Sequence, residues 1–170
     1  MIQAQLLGES IASKSAAAFS LYEKSRFGEK QEGKIIYAPV EALFLTNVGK
    51  MKVLKGKKEV REEELIRMLK NHDAKIETKL IVFTNLRKQG YIIKSALKFG
   101  GEFRVYEKGI KPGEDHAPWI LYTVRESDKV RWHEFAAQNR VAHSTKKRLL
   151  IAIVDNEGDV TYYDTRWMRM

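Results

Sequence analysis

The segment Leu149-Leu150-Ile151-Ala152-Ile153-Val154 is the most apolar stretch of the chain. Six aliphatic residues in a row, between Arg148 and Asp155, predict a central strand that is covered on both faces. Residues 155–159 are turn formers, and residues 160–163 are β-branched or aromatic, so a second strand is predicted to return beside the first. A β-sheet is therefore predicted as the core of the C-terminal part of the chain.

The residues upstream supply the rest of this sheet and its covering helices. β-branched and aromatic residues concentrate at 91–97, 102–107 and 119–124, which predicts three strands. Residues 130–143 have mainly helical composition. Asp73 is a good N-cap and Gly90 a good terminator for another helix that runs to about residue 88. The prediction is an α/β or α+β domain with one mixed sheet over residues 73–170.

Residues 1–72 are predicted to form a small mixed domain. Residues 2–7, 35–37 and 51–54 have strand character, and residues 13–24 and 62–70 have helical character. Pro39 and Gly49 mark the ends of a further helix, since proline favours the first helical turn and glycine follows the last. The predicted fold class is α/β (α+β), with domains at 1–72 and 73–170 and a C-terminal sheet flanked by helices.

Composition limits the classes of partner and location. The chain has 170 residues, 44 % of them hydrophobic and 31 % charged, which is ordinary for a folded protein. No apolar run approaches the roughly 20 residues that span a bilayer, so no membrane partner is expected. The absence of cysteine excludes disulfides, and with no secretory signal visible we expect a cytoplasmic location. A net charge of +9 favours a polyanionic partner such as nucleic acid.

Three side chains of the C-terminal half could together cleave RNA. Cleavage by the RNA's own 2′-hydroxyl needs a base, an acid and a cation near the phosphorane, and no metal. Imidazole is the natural acid near neutral pH, which suits His116 in its loop. A phenol becomes a base where cations lower its pKa, which suits Tyr106, and a compact ammonium such as Lys147 suits a phosphoryl oxygen. Taken singly, His116 is better interpreted as an ordinary surface-loop histidine and Tyr106 as an ordinary half-buried strand tyrosine. Lys147 could as well belong to a solvated basic cluster that ends a helix.

A basic and aromatic surface is predicted over residues 86–112, where phosphate contacts would combine with stacking on unpaired bases. Strand alternation would equally place the aromatic rings in the core, and we expect Phe99 and Phe103 to be mostly structural. The four histidines are not spaced as metal ligands, so neither a metal nor a cofactor is expected. The cations of this surface are Arg87, Lys88, Lys94, Lys98, Arg104, Lys108 and Lys111.

The motifs of the C-terminal half resemble those of the archaeal tRNA-intron endonuclease family. They are Leu86-Arg87-Lys88-Gln89-Gly90-Tyr91, Leu97-Lys98-Phe99-Gly100, Phe103-Arg104-Val105-Tyr106-Glu107-Lys108-Gly109, His116 and the stretch from Arg140 to Asp155. The resemblance implies a catalytic subunit with Tyr106 as general base, His116 as general acid and Lys147 as the transition-state cation. Lys146, one residue away, is the alternative to Lys147.

The resemblance also implies a substrate and an assembly. Members of the family cut precursor tRNA at bulge-helix-bulge sites and clamp a bulge base between two side chains. Arg140 matches one clamp position and Trp167 could be the second, although Trp167 could equally be a core or interface residue. Members assemble from four units, as a homotetramer or as a heterotetramer with a non-catalytic sister subunit, and Asp155, Glu157 and Asp159 resemble the acidic loop that joins their dimers.

Two other functions fit the same residues less well. The chain could be an RNA-binding or structural subunit whose basic face holds RNA while another chain cuts it. It could also be a metal-dependent nuclease with a related sheet.

Overall fold

The computed structural model describes residues 1–170, which divide into two compact units, Met1–Leu80 and Ile81–Met170. The division falls within the helix that spans Ile76–Lys88. Each unit is built on one mixed sheet with helices, so the predicted α+β class is confirmed. The domain limits at residues 72 and 73 stay a prediction.

The N-terminal unit contains a six-stranded sheet with the order β3-β4-β2-β1-β5-β6, in which β1 and β5 are parallel and all other pairs are antiparallel. The strands are β1 (Ile2–Leu7), β2 (Ser10–Ser13), β3 (Glu29–Gln31), β4 (Lys34–Tyr37), β5 (Met51–Lys55) and β6 (Lys58–Val60), and the helices are α1 (Ala16–Ser25), α2 (Pro39–Asn47) and α3 (Glu62–Lys70).

A buried carboxylate fixes the start of α2. Glu41 is 4 % exposed, and its two oxygens accept hydrogen bonds from the backbone N–H groups of Gly28 and Ala38, each at 3.0 Å. These bonds satisfy a charge that would be costly to bury alone. At Gly28 (φ +76°) a Cβ would lie 2.3 Å from Ile35 Cγ2, so only glycine fits this approach to the sheet.

The C-terminal unit contains a five-stranded sheet with the order β11-β10-β9-β8-β7. Only β9 and β10 are parallel, and α5 connects them, as a crossover connection requires. The elements are α4 (Ile76–Lys88), β7 (Ile92–Ser95), a 3₁₀ turn (Leu97–Phe99), β8 (Phe103–Tyr106), β9 (Trp119–Arg125), α5 (Trp132–Ser144), β10 (Arg148–Val154) and β11 (Val160–Thr165).

Both faces of this sheet carry apolar side chains. On one face, Ile120 and Leu149 pack with Ala142 of α5 in a cluster of fully buried residues. On the other face, Phe103 contacts Phe83 of α4, with the ring centroids 6.2 Å apart. Side chains at successive strand positions therefore point alternately towards α5 and towards α4. A polar residue near the end of a strand lies at the edge of one of these two faces.

The structure differs from the sequence prediction in several strands. β2, β3 and β6 lie where no strand was predicted, and β3 is an edge strand with all its residues exposed. The apolar strand β10 is flanked by strands on both sides, but β9 occupies the middle of the sheet. The predicted helices of residues 39–49, 62–70 and 130–143 are present as α2, α3 and α5. None of the helices is long and apolar enough to cross a membrane.

Candidate active site

Three separate segments of the C-terminal unit meet at one end of its sheet. β8 runs antiparallel to β9 and ends at Tyr106, just past the pairing of Val105 with Trp119. β10 runs parallel to β9 and begins at Arg148, which pairs with the same Trp119. Lys147 therefore lies beside the residues that lead into β9. The strand pairing alone brings Tyr106, the segment after His116 and Lys147 to a common rim.

Tyr106 and Arg104 project from the same face of β8, because they are two residues apart. Arg104 pairs with Ile120, whose side chain belongs to the cluster packed against α5. Tyr106 is 5 % exposed and makes no side-chain hydrogen bond. The Tyr106 side chain is therefore more buried than the half-buried strand tyrosine that the sequence alone would suggest.

Lys147 is tied to the loop that carries His116. Its Nζ donates a hydrogen bond of 2.8 Å to the carbonyl oxygen of Ala117, and the backbone N–H of Arg148 donates one of 2.8 Å to Pro118. Burial lowers the pKa of Lys147, and the positive charge of Arg104 lowers it further. An ammonium has three donors, so two remain for another ligand.

His116 stands at the end of an exposed loop whose next residue is anchored. Its imidazole is exposed, whereas Ala117 is 3 % exposed. The backbone N–H of His116 donates to its neighbour Asp115 at 2.6 Å, which fixes the backbone rather than the ring. The arrangement holds a potential acid at the rim and leaves it open to a ligand from solvent.

An aromatic ring lies beneath two of the cations. The centroid of Phe99 is 5.3 Å from Arg104 Cζ and 5.9 Å from Lys147 Nζ, within the range of cation–π attraction. Arg104 Nε also donates to the Ser95 carbonyl at 3.1 Å. Phe99 was expected to be mostly structural, and that expectation did not include its contacts with Arg104 and Lys147. Lys94, predicted as part of the basic surface, is only 6 % exposed and cannot act as a freely solvated cation.

The remaining predicted RNA-binding residues lie on several elements. Lys98 is exposed in the 3₁₀ turn, and Arg140 is exposed near the C-terminal end of α5. Trp167 is 49 % exposed, and its ring centroid is 4.6 Å from that of His143. Trp167 is therefore not a core residue of this unit.

The acidic residues form a compact turn between β10 and β11, at the end of the sheet opposite Lys147. The carboxylate oxygens of Asp155, Glu157 and Asp159 lie within 4.8 Å of one another, an arrangement that could hold a cation. Asp155 Oδ1 accepts hydrogen bonds from the backbone N–H groups of Glu157 and Asp159, both at 2.9 Å. These contacts use Asp155 within the turn and leave Glu157 and Asp159 exposed.

Comparison with known proteins connects this geometry to one family. The sequence model of the catalytic C-terminal domain of tRNA intron endonuclease matches residues 76–162, and that of its N-terminal domain matches residues 2–66. The chain is 37 % identical over 170 residues to a protein of Thermococcus gammatolerans named tRNA-splicing endonuclease, covering 99 % of both chains.

Other archaeal relatives carry the same name. A protein of Methanothermobacter thermautotrophicus is 36 % identical over 169 residues, covering 99 % of this chain and 98 % of the relative. One of Nanoarchaeum equitans is 33 % identical over 136 residues, covering 76 % and 87 %. The chain belongs to the tRNA intron endonuclease family and carries both its N-terminal domain and its catalytic C-terminal domain.

Proposed function

We propose that this enzyme excises introns from precursor tRNA in the cytoplasm, by metal-independent cleavage at bulge-helix-bulge sites that leaves 2′,3′-cyclic phosphate and 5′-hydroxyl ends. The observation that carries the proposal is the convergence of Tyr106, the His116 loop and Lys147 at one end of the C-terminal sheet. These side chains supply a base, an acid and a cation, which is the full set that the reaction needs.

Each side chain has one role in the proposed step. Tyr106, as phenolate, takes the proton of the 2′-hydroxyl while the 2′-oxygen bonds to phosphorus. The bond from phosphorus to the 5′-oxygen breaks, and His116, as imidazolium, gives its proton to that leaving oxygen. Lys147 donates to a phosphoryl oxygen on which negative charge develops. Its bond to the Ala117 carbonyl holds this cation one residue from the acid.

The substrate is proposed to lie across the same end of the unit. Arg104 and Lys98 contact the RNA backbone, and Arg140 and Trp167 hold a bulge base. The support is that Lys98, Arg140 and Trp167 are exposed, and that Arg104 is fixed by Ser95 and Phe99 rather than by a carboxylate. A guanidinium without an acidic partner keeps its charge available to phosphate.

Assembly is proposed to use the acidic turn. Glu157 and Asp159 project exposed carboxylates from a chain of net charge +9, so an electrostatic contact with another copy or with a sister subunit is favourable. With Asp155 shaping the turn, the three residues form the contact of a homotetramer or a heterotetramer.

The test uses the purified chain and a precursor tRNA with a bulge-helix-bulge intron, incubated with and without excess EDTA. Identification of the fragment ends should give cyclic phosphate and 5′-hydroxyl groups at equal rates in both conditions. Loss of cleavage in EDTA, restored by a divalent metal, would instead indicate a metal-dependent nuclease.

Matched variants then test the residues. Tyr106→Phe and His116→Ala should each lower the cleavage rate, while Tyr22→Phe, in the N-terminal unit, and His133→Ala, in the first turn of α5, should not. RNA binding without cleavage by the wild-type chain, with cleavage appearing only when a second subunit is added, would indicate a heterotetramer. If that restored cleavage were unchanged in Tyr106→Phe and His116→Ala, the RNA-binding subunit would be favoured instead.

A further inference from the structure

The 3₁₀ turn Leu97–Phe99 is fixed against the sheet by hydrogen bonds and by packing. The Tyr122 hydroxyl donates a hydrogen bond of 2.7 Å to the carbonyl oxygen of Gly100, and the backbone N–H of Phe99 donates one of 2.8 Å to the carbonyl oxygen of Ala96. The Phe99 side chain packs against the buried cluster that is shared by β9, β10 and α5. Backbone and core contacts together leave the Phe99 ring little freedom to move.

Two cations lie over this fixed ring. The ring centroid of Phe99 is 5.3 Å from Arg104 Cζ and 5.9 Å from Lys147 Nζ. The negative face of an aromatic ring attracts cations at such distances. Burial lowers the pKa of Lys147, and repulsion by Arg104 lowers it further. The attraction to Phe99 therefore opposes two effects that favour loss of the proton from Lys147.

The surroundings of Lys147 contain basic groups and no carboxylate in direct contact with its ammonium. Its Nζ donates to the Ala117 carbonyl at 2.8 Å, and no acidic residue lines the pocket beside it. A carboxylate would neutralise the charge that a phosphoryl oxygen needs, whereas an aromatic ring carries no net charge. The ring can thus stabilise the ammonium and leave its charge available to the substrate. The titratable and charged groups at this rim are Arg104 and Tyr106 of β8, His116 of the loop, His143 of α5, Arg148 of β10, which is paired with Asp164 of β11, and Arg166 after β11.

We propose that Phe99 is a positioning residue for the cleavage reaction, whose ring keeps the Lys147 ammonium charged and in place beside Arg104. The inference rests on the proposed function, because it supposes that Lys147 contacts the phosphoryl group during cleavage. Phe99 itself contacts neither the RNA nor the reacting atoms, and it acts through the two cations. A residue that packs on the core on one side thereby also sets the electrostatics of the site.

Three variants separate the ring from its contribution to the core. Phe99→Leu removes the ring and keeps an apolar side chain, and Phe99→Tyr keeps a ring. Phe135→Leu is the matched control, because Phe135 packs against the same buried cluster and no cation lies over its ring. NMR titration of the ε-methylene group of Lys147 in the full chain, assigned by its absence in Lys147→Met, measures the pKa of this lysine directly.

The titration of Lys147 should move to lower pH by about 0.4–0.7 unit in Phe99→Leu, because loss of the cation–π contact disfavours the ammonium. Phe99→Tyr and Phe135→Leu should keep the wild-type midpoint. In single-turnover cleavage with saturating enzyme, Phe99→Leu should lower the rate about 2- to 5-fold and move the alkaline limb of the pH–rate profile to lower pH. That direction is opposite to the one expected for removal of the Arg104 charge.

An unchanged Lys147 titration in Phe99→Leu, or one that moves to higher pH, overturns the proposal. An equal shift in Phe135→Leu overturns it as well, since the effect would then come from the core. A shifted titration with a wild-type cleavage rate in Phe99→Leu excludes a role in positioning. The titration needs no cleavage, so a wild-type chain that leaves precursor tRNA intact refutes the proposed function by a separate readout. Thermal unfolding checks that each variant is folded, and Phe99→Met replaces Phe99→Leu if the latter is not.

Discussion

Replacement of Lys147 by methionine separates the proposed cation from the fold around it. Methionine keeps most of the apolar stem but removes the ammonium and its hydrogen bond to the Ala117 carbonyl. Loss of one preorganised group that stabilises transition-state charge lowers catalytic rates by about 10²–10³-fold, or about 2.7–4 kcal/mol. We expect a loss of this size in the cleavage rate of Lys147→Met.

The effect on stability should be much smaller. Burial and Arg104 both lower the pKa of Lys147, so the folded state disfavours its charged form, and removal of the charge is favourable for folding. The Ala117 carbonyl loses its donor, which costs about 1 kcal/mol. These opposed contributions leave the free energy of unfolding changed by about 1 kcal/mol at most.

Single-turnover cleavage of precursor tRNA with saturating enzyme, alongside thermal unfolding, measures both quantities. Lys146→Met is the matched control, because Lys146 is the exposed neighbour and should keep the wild-type rate. Lys147→Arg, which keeps a cation, should recover part of the loss. A Lys147→Met rate within a factor of a few of wild type, or a larger loss in Lys146→Met, would refute the assignment of Lys147.

Three further outcomes follow from contacts in the structure. Tyr106→Phe should lower the cleavage rate about 10²–10⁴-fold while the melting temperature stays near that of wild type, because the phenol makes no hydrogen bond whose loss would destabilise the fold; a large drop in melting temperature would contradict this. Arg104→Gln should shift the alkaline limb of the pH–rate profile to higher pH. Removal of the neighbouring cation raises the pKa of Lys147, so its ammonium persists further into the alkaline range. An alkaline limb that stayed in place or moved to lower pH would count against an effect of Arg104 on Lys147. Gly101→Ala should lower the free energy of unfolding by about 1–3 kcal/mol in a denaturant titration, because the new Cβ would lie 2.3 Å from the buried Ile120 Cγ2. A variant as stable as the wild type would show that the sheet accommodates the methyl group.

Helices whose ends carry proline, glycine or another terminating residue, and strands made of long apolar runs, could be predicted from the sequence. α2 begins at Pro39 as expected, and α3 and β10 closely match their predicted residues. β3 could not be predicted, because Glu29–Gln31 is fully exposed and has neither alternation nor β-branched residues. Such a strand is defined by its partner in the sheet and not by its own composition.

The candidate site was likewise predicted in part from the sequence and in part could not be. The residue types and order of Tyr106, His116 and Lys147 suggest the chemistry, while their proximity depends on strand register. The burial of Lys94 was missed because polar residues are ordinarily exposed, and only packing shows that this side chain is buried.

The opposite placement of Lys147 and the acidic turn at the two ends of β10 has a genetic consequence. The seven residues of β10 separate Lys147 from Asp155 by about 26 Å, so a substitution at one end leaves the other intact. One copy of the gene could carry a substitution at Lys147, and another a substitution in the acidic turn, so that each copy encodes a chain with a different defect. In the proposed assembly, their products expressed together would complement each other, whereas neither copy alone would support growth where intron removal is essential.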